Sequence, residues 1–156
     1  MANDIYEAHF YDVRYRAVMD PQQQVKVFTD RNSFNISKIV NFDNECSNIS
    51  SSDYFGGAII SSLLSALAEQ CQRHRTTLEE AEGTAQLQLA NPLTLVGVKG
   101  LDDKPYFSRI TLTLYALLAP EPEDFQAFCQ QALLLCPIYQ TLSRATPIDV
   151  SFKQLL

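Results

Sequence analysis

The sequence predicts an α+β fold. Three observations carry that prediction. Period-two apolar alternation marks the first forty residues, the middle and the last segment of the chain. Two long stretches between these have helical spacing. The strands come in runs instead of alternating strictly with helices, giving the order βββ-α-ββ-α-α-β. The 156 residues suffice for one core, and no Gly/Ser-rich or Pro-rich linker or internal repeat divides them. Residues 1–156 therefore read as a single domain.

His9 to Val18 places Tyr11, Val13, Tyr15 and Ala17 at alternating positions, a strand pattern. Asp20-Pro21 signals a turn, and Gln24 to Thr29 reads as a second strand through Val25 and Val27. Phe34 and Ile36, followed less regularly by Ile39 and Val40, suggest a third. Asn41 to Ser52 is polar and loop-like. Ser50, Ser51 and Ser52 then offer N-caps, and Asp53 a negative charge, ahead of an apolar run. The expected helix covers Asp53 to His74, its basic last turn suiting the negative end of the helix dipole.

The middle of this helix has little polar surface. Ser61, Ser62 and Ser65 interrupt a run that includes Gly56, Gly57, Ala58, Ile59, Ile60, Leu63, Leu64, Ala66 and Leu67. A helix apolar nearly all round is buried on most sides, and in so small a chain a partner subunit is an expected source of cover. Thr84 to Leu89 alternates as a strand and ends at Asn91-Pro92; Leu93 to Val98 reads as either a strand or a loop edge. Tyr106 to Leu118 is a long strand. After Pro120, the residues Phe125, Phe128, Cys129, Ala132, Leu135 and Cys136 form a stripe at helical spacing. Pro137 stops or kinks that helix and can itself open a short one reaching Arg144. Ile148, Val150 and Phe152 close the chain as a strand.

Composition excludes several functions. A net charge of -6 argues against nucleic acid, whose binding needs clustered Lys and Arg. The apolar window from Tyr54 to Ala68 is too short to cross a bilayer, so no membrane partner is expected. The opening Met1-Ala2-Asn3-Asp4-Ile5 has no basic region followed by an apolar core, which predicts a cytoplasmic protein. The four cysteines then read as free thiols. Cys71 and His74 stand at metal-ligand spacing, but only one other histidine exists, so no metal is expected. No cofactor is expected either, since neither a phosphate loop nor a nucleophile elbow is present.

Two tracts carry a resemblance. "FQAFCQQALLLCPIYQTLSRATPIDVSF" is similar to the C-terminal part of the OsmC/Ohr family, where a helix ends in Cys-Pro, a short helix follows and a strand finishes the domain. "SSSDYFGGAIISSLLSALAEQCQRHRTTLEEAEG" resembles the central helix of that family and its exit into the next strand. The resemblance implies antiparallel sheets wrapped around a long buried central helix, in an intertwined homodimer with its reactive regions at the subunit interface. It also implies a hydroperoxide reductase chemistry: a peroxidatic thiolate on the central helix attacks a hydroperoxide, and the Cys of Cys-Pro resolves the sulfenic acid as a disulfide.

Cys136 matches the resolving position, but its partner is missing. Counting back from Leu78-Glu79, the peroxidatic position falls on Ser62, or on Ser61 if the register slips by one. A hydroxyl has neither the softness of a thiolate nor its oxidation ladder. The acidic helper of the family falls near Ser52 or Asp53, and its arginine would be one of Arg14, Arg16 and Arg31. This implies a divergent member lacking the peroxidatic cysteine, able to bind a small lipophilic molecule at the dimer interface, with Ser61, Leu63 and Tyr54 as binding residues. The rival is a residual or one-cysteine peroxidase acting on organic hydroperoxides through Cys136, or Cys46 with Cys136. Cys71 lies nine residues beyond Ser62, about 13 Å along the axis, and reads as core, as does Cys129. Whether Cys136 closes one helix or caps the next stays open at this level.

Overall fold

Two side-chain turns shape the first three strands. Asp20 Oδ1 accepts from the Gln24 N–H at 2.9 Å, with Gln23 in the left-handed region at φ 63. Thr29 Oγ1 accepts from the Asn32 N–H at 2.8 Å. Between and beside these turns lie β1 (Arg16–Met19), β2 (Val25–Phe28) and β3 (Ser33–Ile36), an antiparallel meander in the order β1-β2-β3. This computed structural model describes residues 9–43, 45 and 47–156. The chain divides into two compact units, Met1–Tyr54 and Phe55–Leu156. β1 begins seven residues later than the alternation predicts, because β2 supplies partners only from Arg16↔Phe28 to Met19↔Val25. Tyr11, Val13 and Tyr15 keep their strand-like spacing but are exposed.

Helix α1 (Ser51–Arg73) starts two residues earlier than expected. Ser50 and Asp53 form a reciprocal capping box there. The Asp53 N–H donates to Ser50 Oγ at 3.1 Å, and the Asp53 carboxylate accepts from both the N–H and the hydroxyl of Ser50 at 2.8 Å. Ser50 is 1% exposed, so these bonds satisfy polar atoms that water does not reach. Among the described residues no helix is long and apolar enough to cross a membrane.

In the second unit, β4 (Thr77–Ala90) pairs antiparallel with β5 (Tyr106–Ala119), which pairs with β6 (Ile148–Gln154). The β5–β6 pair is parallel, which corrects the expectation of purely antiparallel sheets. The reason lies in the connection. Helices α3 (Phe125–Leu133) and α4 (Pro137–Leu142) stand between β5 and β6, a crossover long enough to bring the chain back for a strand running the same way. Between β4 and β5, the segment open to two readings is a one-turn helix, α2 (Pro92–Leu95). Pro92 sits at its N-terminus, where a missing N–H costs nothing. Asn91 and Thr94 donate to the carbonyls of Lys104 and Asp103, tying the connection together.

The core follows the alternation of β5. Ile110, Leu112, Leu114, Ala116 and Leu118 all point one way and are buried. Against them lie Ile59, Leu63, Ala66, Leu67 and Cys71 of α1, and Phe125, Cys129 and Ala132 of α3. Burying a leucine this completely stabilises the fold by about 1.5–3 kcal/mol. α1 buries Ile59, Leu63, Ala66, Leu67, Gln70 and Cys71 within one chain and leaves Gly57, Ala58, Ser61 and Ser65 exposed along one stripe. β4 extends beyond the predicted Thr84 to Leu89 because Glu79, Glu80 and Glu82 break the alternation; they are exposed on an edge strand, where charge suits the position.

Gly83 sets how closely β4 and α1 meet. It pairs with Leu114, and a Cβ built on it would lie 2.7 Å from both Cγ1 and Cδ1 of Ile60. Gly83→Ala is therefore expected to destabilise the protein by about 1–3 kcal/mol through overpacking. Ile60→Ala in the same chain should recover part of that loss; additive losses in denaturant melts would contradict the contact.

Candidate functional site

Pro137 determines the local backbone at the end of α3. A residue before proline is pushed out of the helical region, and Cys136 is extended at φ -103, ψ 101. α3 stops at Leu133 with Leu134 as its C-cap, and Cys136 is the N-cap of α4. The two readings of Cys136 are thus resolved in favour of the second helix. Its sulfur accepts from the Tyr139 N–H at 3.5 Å, and its carbonyl accepts from the Gln140 N–H at 3.0 Å.

The thiol reaches back to α1. Cys136 Sγ donates to Ser62 Oγ at 3.3 Å, and the Ser62 hydroxyl donates to the Ile59 carbonyl at 2.7 Å. Both residues belong to the same chain. Ser61, the alternative by one register step, is exposed and donates to the Ala58 carbonyl instead, so Ser62 is the residue that faces the sulfur. Cys136 itself is 1% exposed.

The other described cysteines do not join this contact. Cys71 and Cys129 are free and buried in the core. Burial pushes the Cys71 thiol up from 9.0. Burial, and secondly the charge of a nearby Cys71 thiolate, push Cys129 up to about 12. Thiols held so firmly protonated are inert as nucleophiles. The suggested role of Cys46 lies outside the described residues. Among the described residues no three His, Cys, Asp or Glu side chains come together as metal ligands.

An apolar groove of about 360 Å³ is lined by Pro137, the residue that follows Cys136. Phe55, Ala58 and Ile59 supply one wall from α1, and Pro137, Ile138 and Leu142 the other from α4. Phe55 is stacked on Phe107, with ring centroids 5.3 Å apart. None of the three expected binding residues lines it. Leu63 is 1% exposed and packs into the core on the inner face of α1, which corrects its assignment. Tyr54 lies in the first unit, its ring 4.7 Å from that of Phe34. Asp53, the expected acidic helper, is occupied in capping α1. Of the candidate arginines, Arg16 stacks its guanidinium 4.4 Å over the Phe28 ring and Arg31 lies in the β2–β3 turn. The groove residues were missed by sequence reading, although their spacing (55, 58, 59 and 138, 141, 142) places each trio on one helix face.

This chain has a thiol at a Cys-Pro junction, directed at the middle of a long central helix, and an α+β arrangement around both. A sequence model of the OsmC-like protein family matches residues 43–151. The chain belongs to that family. No curated protein matches it in sequence. Among solved structures, the OsmC-like protein of Mycoplasma pneumoniae superposes with a TM-score of 0.74 at 11% identity, covering 94% of this chain and 99% of that one. An organic hydroperoxide resistance protein OsmC from Legionella pneumophila gives 0.60 at 13% identity, covering 94% and 98%. OhrB of Bacillus subtilis, an organic hydroperoxide resistance protein, gives 0.56 at 14%, covering 93% and 98%. At such identities the likeness is one of fold. Within this OsmC-like chain the pair at the centre is a thiol and a hydroxyl, which cannot close into a disulfide.

The raised thiols make a prediction with a definite sign. Below pH 9.0 both are protonated, folded or unfolded, and the stability they contribute is fully present. Above it the unfolded chain releases those protons while folded Cys129 holds its own up to about 12, so stability falls as pH rises through that window. Urea midpoints should drop less steeply between pH 9 and 10.5 in Cys129→Ala than in the wild type. Parallel slopes would contradict the buried, protonated thiol.

Proposed function

We infer that this OsmC-like chain is not a conventional two-cysteine peroxidase, and that it acts as a homodimer binding a small lipophilic molecule in the groove beside Cys136. The observation that carries this reading is the 3.3 Å contact of Cys136 Sγ with Ser62 Oγ. A resolving thiol needs a sulfenic acid to attack, and serine forms none. The groove supports the binding half of the reading, because its walls are apolar and its volume is within the roughly 300–1,000 Å³ of small-molecule sites. The dimer is supported by the exposed stripe of Gly57, Ala58, Ser61 and Ser65, small residues that permit close approach of a second α1.

A second reading has one observation in its favour: Pro137, the residue after Cys136, lines the groove, so an organic hydroperoxide lying there would be close to the thiol of a one-cysteine peroxidase reduced by an external dithiol. Hydroperoxide consumption with dithiothreitol, in the wild type and in Cys136→Ser, separates the two. The binding reading expects equal background rates; consumption by the wild type that Cys136→Ser abolishes would overturn it. Ser62→Cys is the complementary test. Because the Ser62 oxygen lies 3.3 Å from the Cys136 sulfur, a sulfur at this place is expected to form a dithiol-reducible bond to Cys136. Free thiols persisting in Ser62→Cys after mild oxidation would count against the assignment of Ser62 to the peroxidatic position.

A further inference from the structure

The sheet of the second unit ends at β6, and among the described residues no strand lies beyond it in the order β4-β5-β6. The parallel ladder fixes what this edge presents. The Ile110 N–H donates to the Pro147 carbonyl and the Leu155 N–H to the Ala116 carbonyl, so the odd-numbered positions turn their backbone groups toward β5. The even-numbered ones, Ile148, Val150 and Phe152, turn theirs outward. There the Phe152 carbonyl accepts from the side chain of Gln126 on α3, at 2.8 Å from Nε2. Among the described residues nothing pairs with the backbone groups of Ile148 and Val150.

A groove of about 550 Å³ is lined by these three residues of β6 and by Gln130, Gln131 and Leu134 from α3 and its C-cap. The two glutamines are exposed, and each amide can both donate and accept. Leu134 adds an exposed apolar side chain. The one carboxylate at the groove, Asp149, already has the Arg109 guanidinium at 3.4 Å. An apolar occupant would strip water from the edge N–H and C=O groups without replacing it, and an ion would find no free countercharge. An extended peptide meets both demands. It carries N–H and C=O groups on each of its edges at the same repeat of about 3.3 Å per residue as β6. One edge pairs with β6, and the other faces glutamine amides in the way that Phe152 already meets Gln126.

We propose that the outer edge of β6 is a docking site for an extended, uncharged peptide segment of another protein, which adds to the sheet alongside Ile148 to Phe152 with an apolar side chain against Leu134. NMR titration of the isotope-labelled full chain with the neutral peptide acetyl-TVQVT-amide tests this. The amides of Ile148, Val150 and Phe152 should shift and exchange more slowly, with a dissociation constant below about 1 mM. Methylating two consecutive backbone nitrogens blocks both edges of the peptide and should weaken binding at least about tenfold. Val150→Pro deletes an outward N–H and no bond to β5, so it should weaken binding by about tenfold with the β5–β6 ladder kept. No shifts at about 5 mM peptide, shifts confined to residues outside the groove, or equal binding of the methylated peptide would overturn the proposal. Concentration-dependent shifts of the same amides without peptide, abolished in Val150→Pro, would put a second copy of this chain in the groove and overturn its assignment to another protein.

Discussion

Pro137 excludes Cys136 from helical backbone, and the chemistry of the site descends from that steric constraint. An extended residue at this junction ends the approach of α3, opens α4, and leaves its side chain pointing across to α1. Had α3 continued through residue 136, the sulfur would have stayed on the α3 stripe with Cys129, two turns along one face. The proline thus separates two cysteines that the helical spacing groups together. One becomes core and the other faces Ser62.

Magnitudes decide what holds this arrangement in place. A neutral hydrogen bond contributes about 0.5–1.5 kcal/mol net, and one with sulfur less than an oxygen pair of the same geometry. Each fully buried leucine contributes about 1.5–3 kcal/mol, and Leu63, Leu67, Leu112 and Leu114 are all buried to within 1%. The contact between Cys136 and Ser62 is therefore a consequence of packing and not its cause. α1 lies where β5 and Gly83 allow it, α3 where Phe125, Cys129 and Ala132 seat it, and the polar pair occupies the position left between them.

Much of this was legible in the sequence, and the exceptions have specific causes. The β5 alternation and the N-terminal signal of α1 are local, so they could be read directly; the latter was even stronger than expected, since Ser50 and Asp53 cap reciprocally. The start of β4 is not legible because acidic residues on an exposed edge erase the alternation there, and only pairing with β5 defines it. The parallel direction of β6 depends on a crossover, which no period of two or 3.6 encodes. At the site, the juxtaposition of Cys136 and Ser62 came from a resemblance and not from spacing. The groove did not emerge at all. Two helix faces each had a readable pattern, but that they face one another is a tertiary fact.

The retention of sulfur at position 136 has a physical account that requires no catalysis. As an N-cap alone, serine, threonine, aspartate or asparagine would serve better than cysteine, since an oxygen accepts the Tyr139 N–H more strongly. The position, however, is 1% exposed and lies in the core cluster with Ile59, Leu63 and Cys129. There a cysteine behaves as a small hydrophobe with a weak donor, and the Ser62 oxygen satisfies that donor at little cost. An aspartate would bury a charge, and a serine would exchange apolar surface for a hydroxyl that must be paired. Burial and capping pull in opposite directions at this residue, and cysteine is the side chain that meets both.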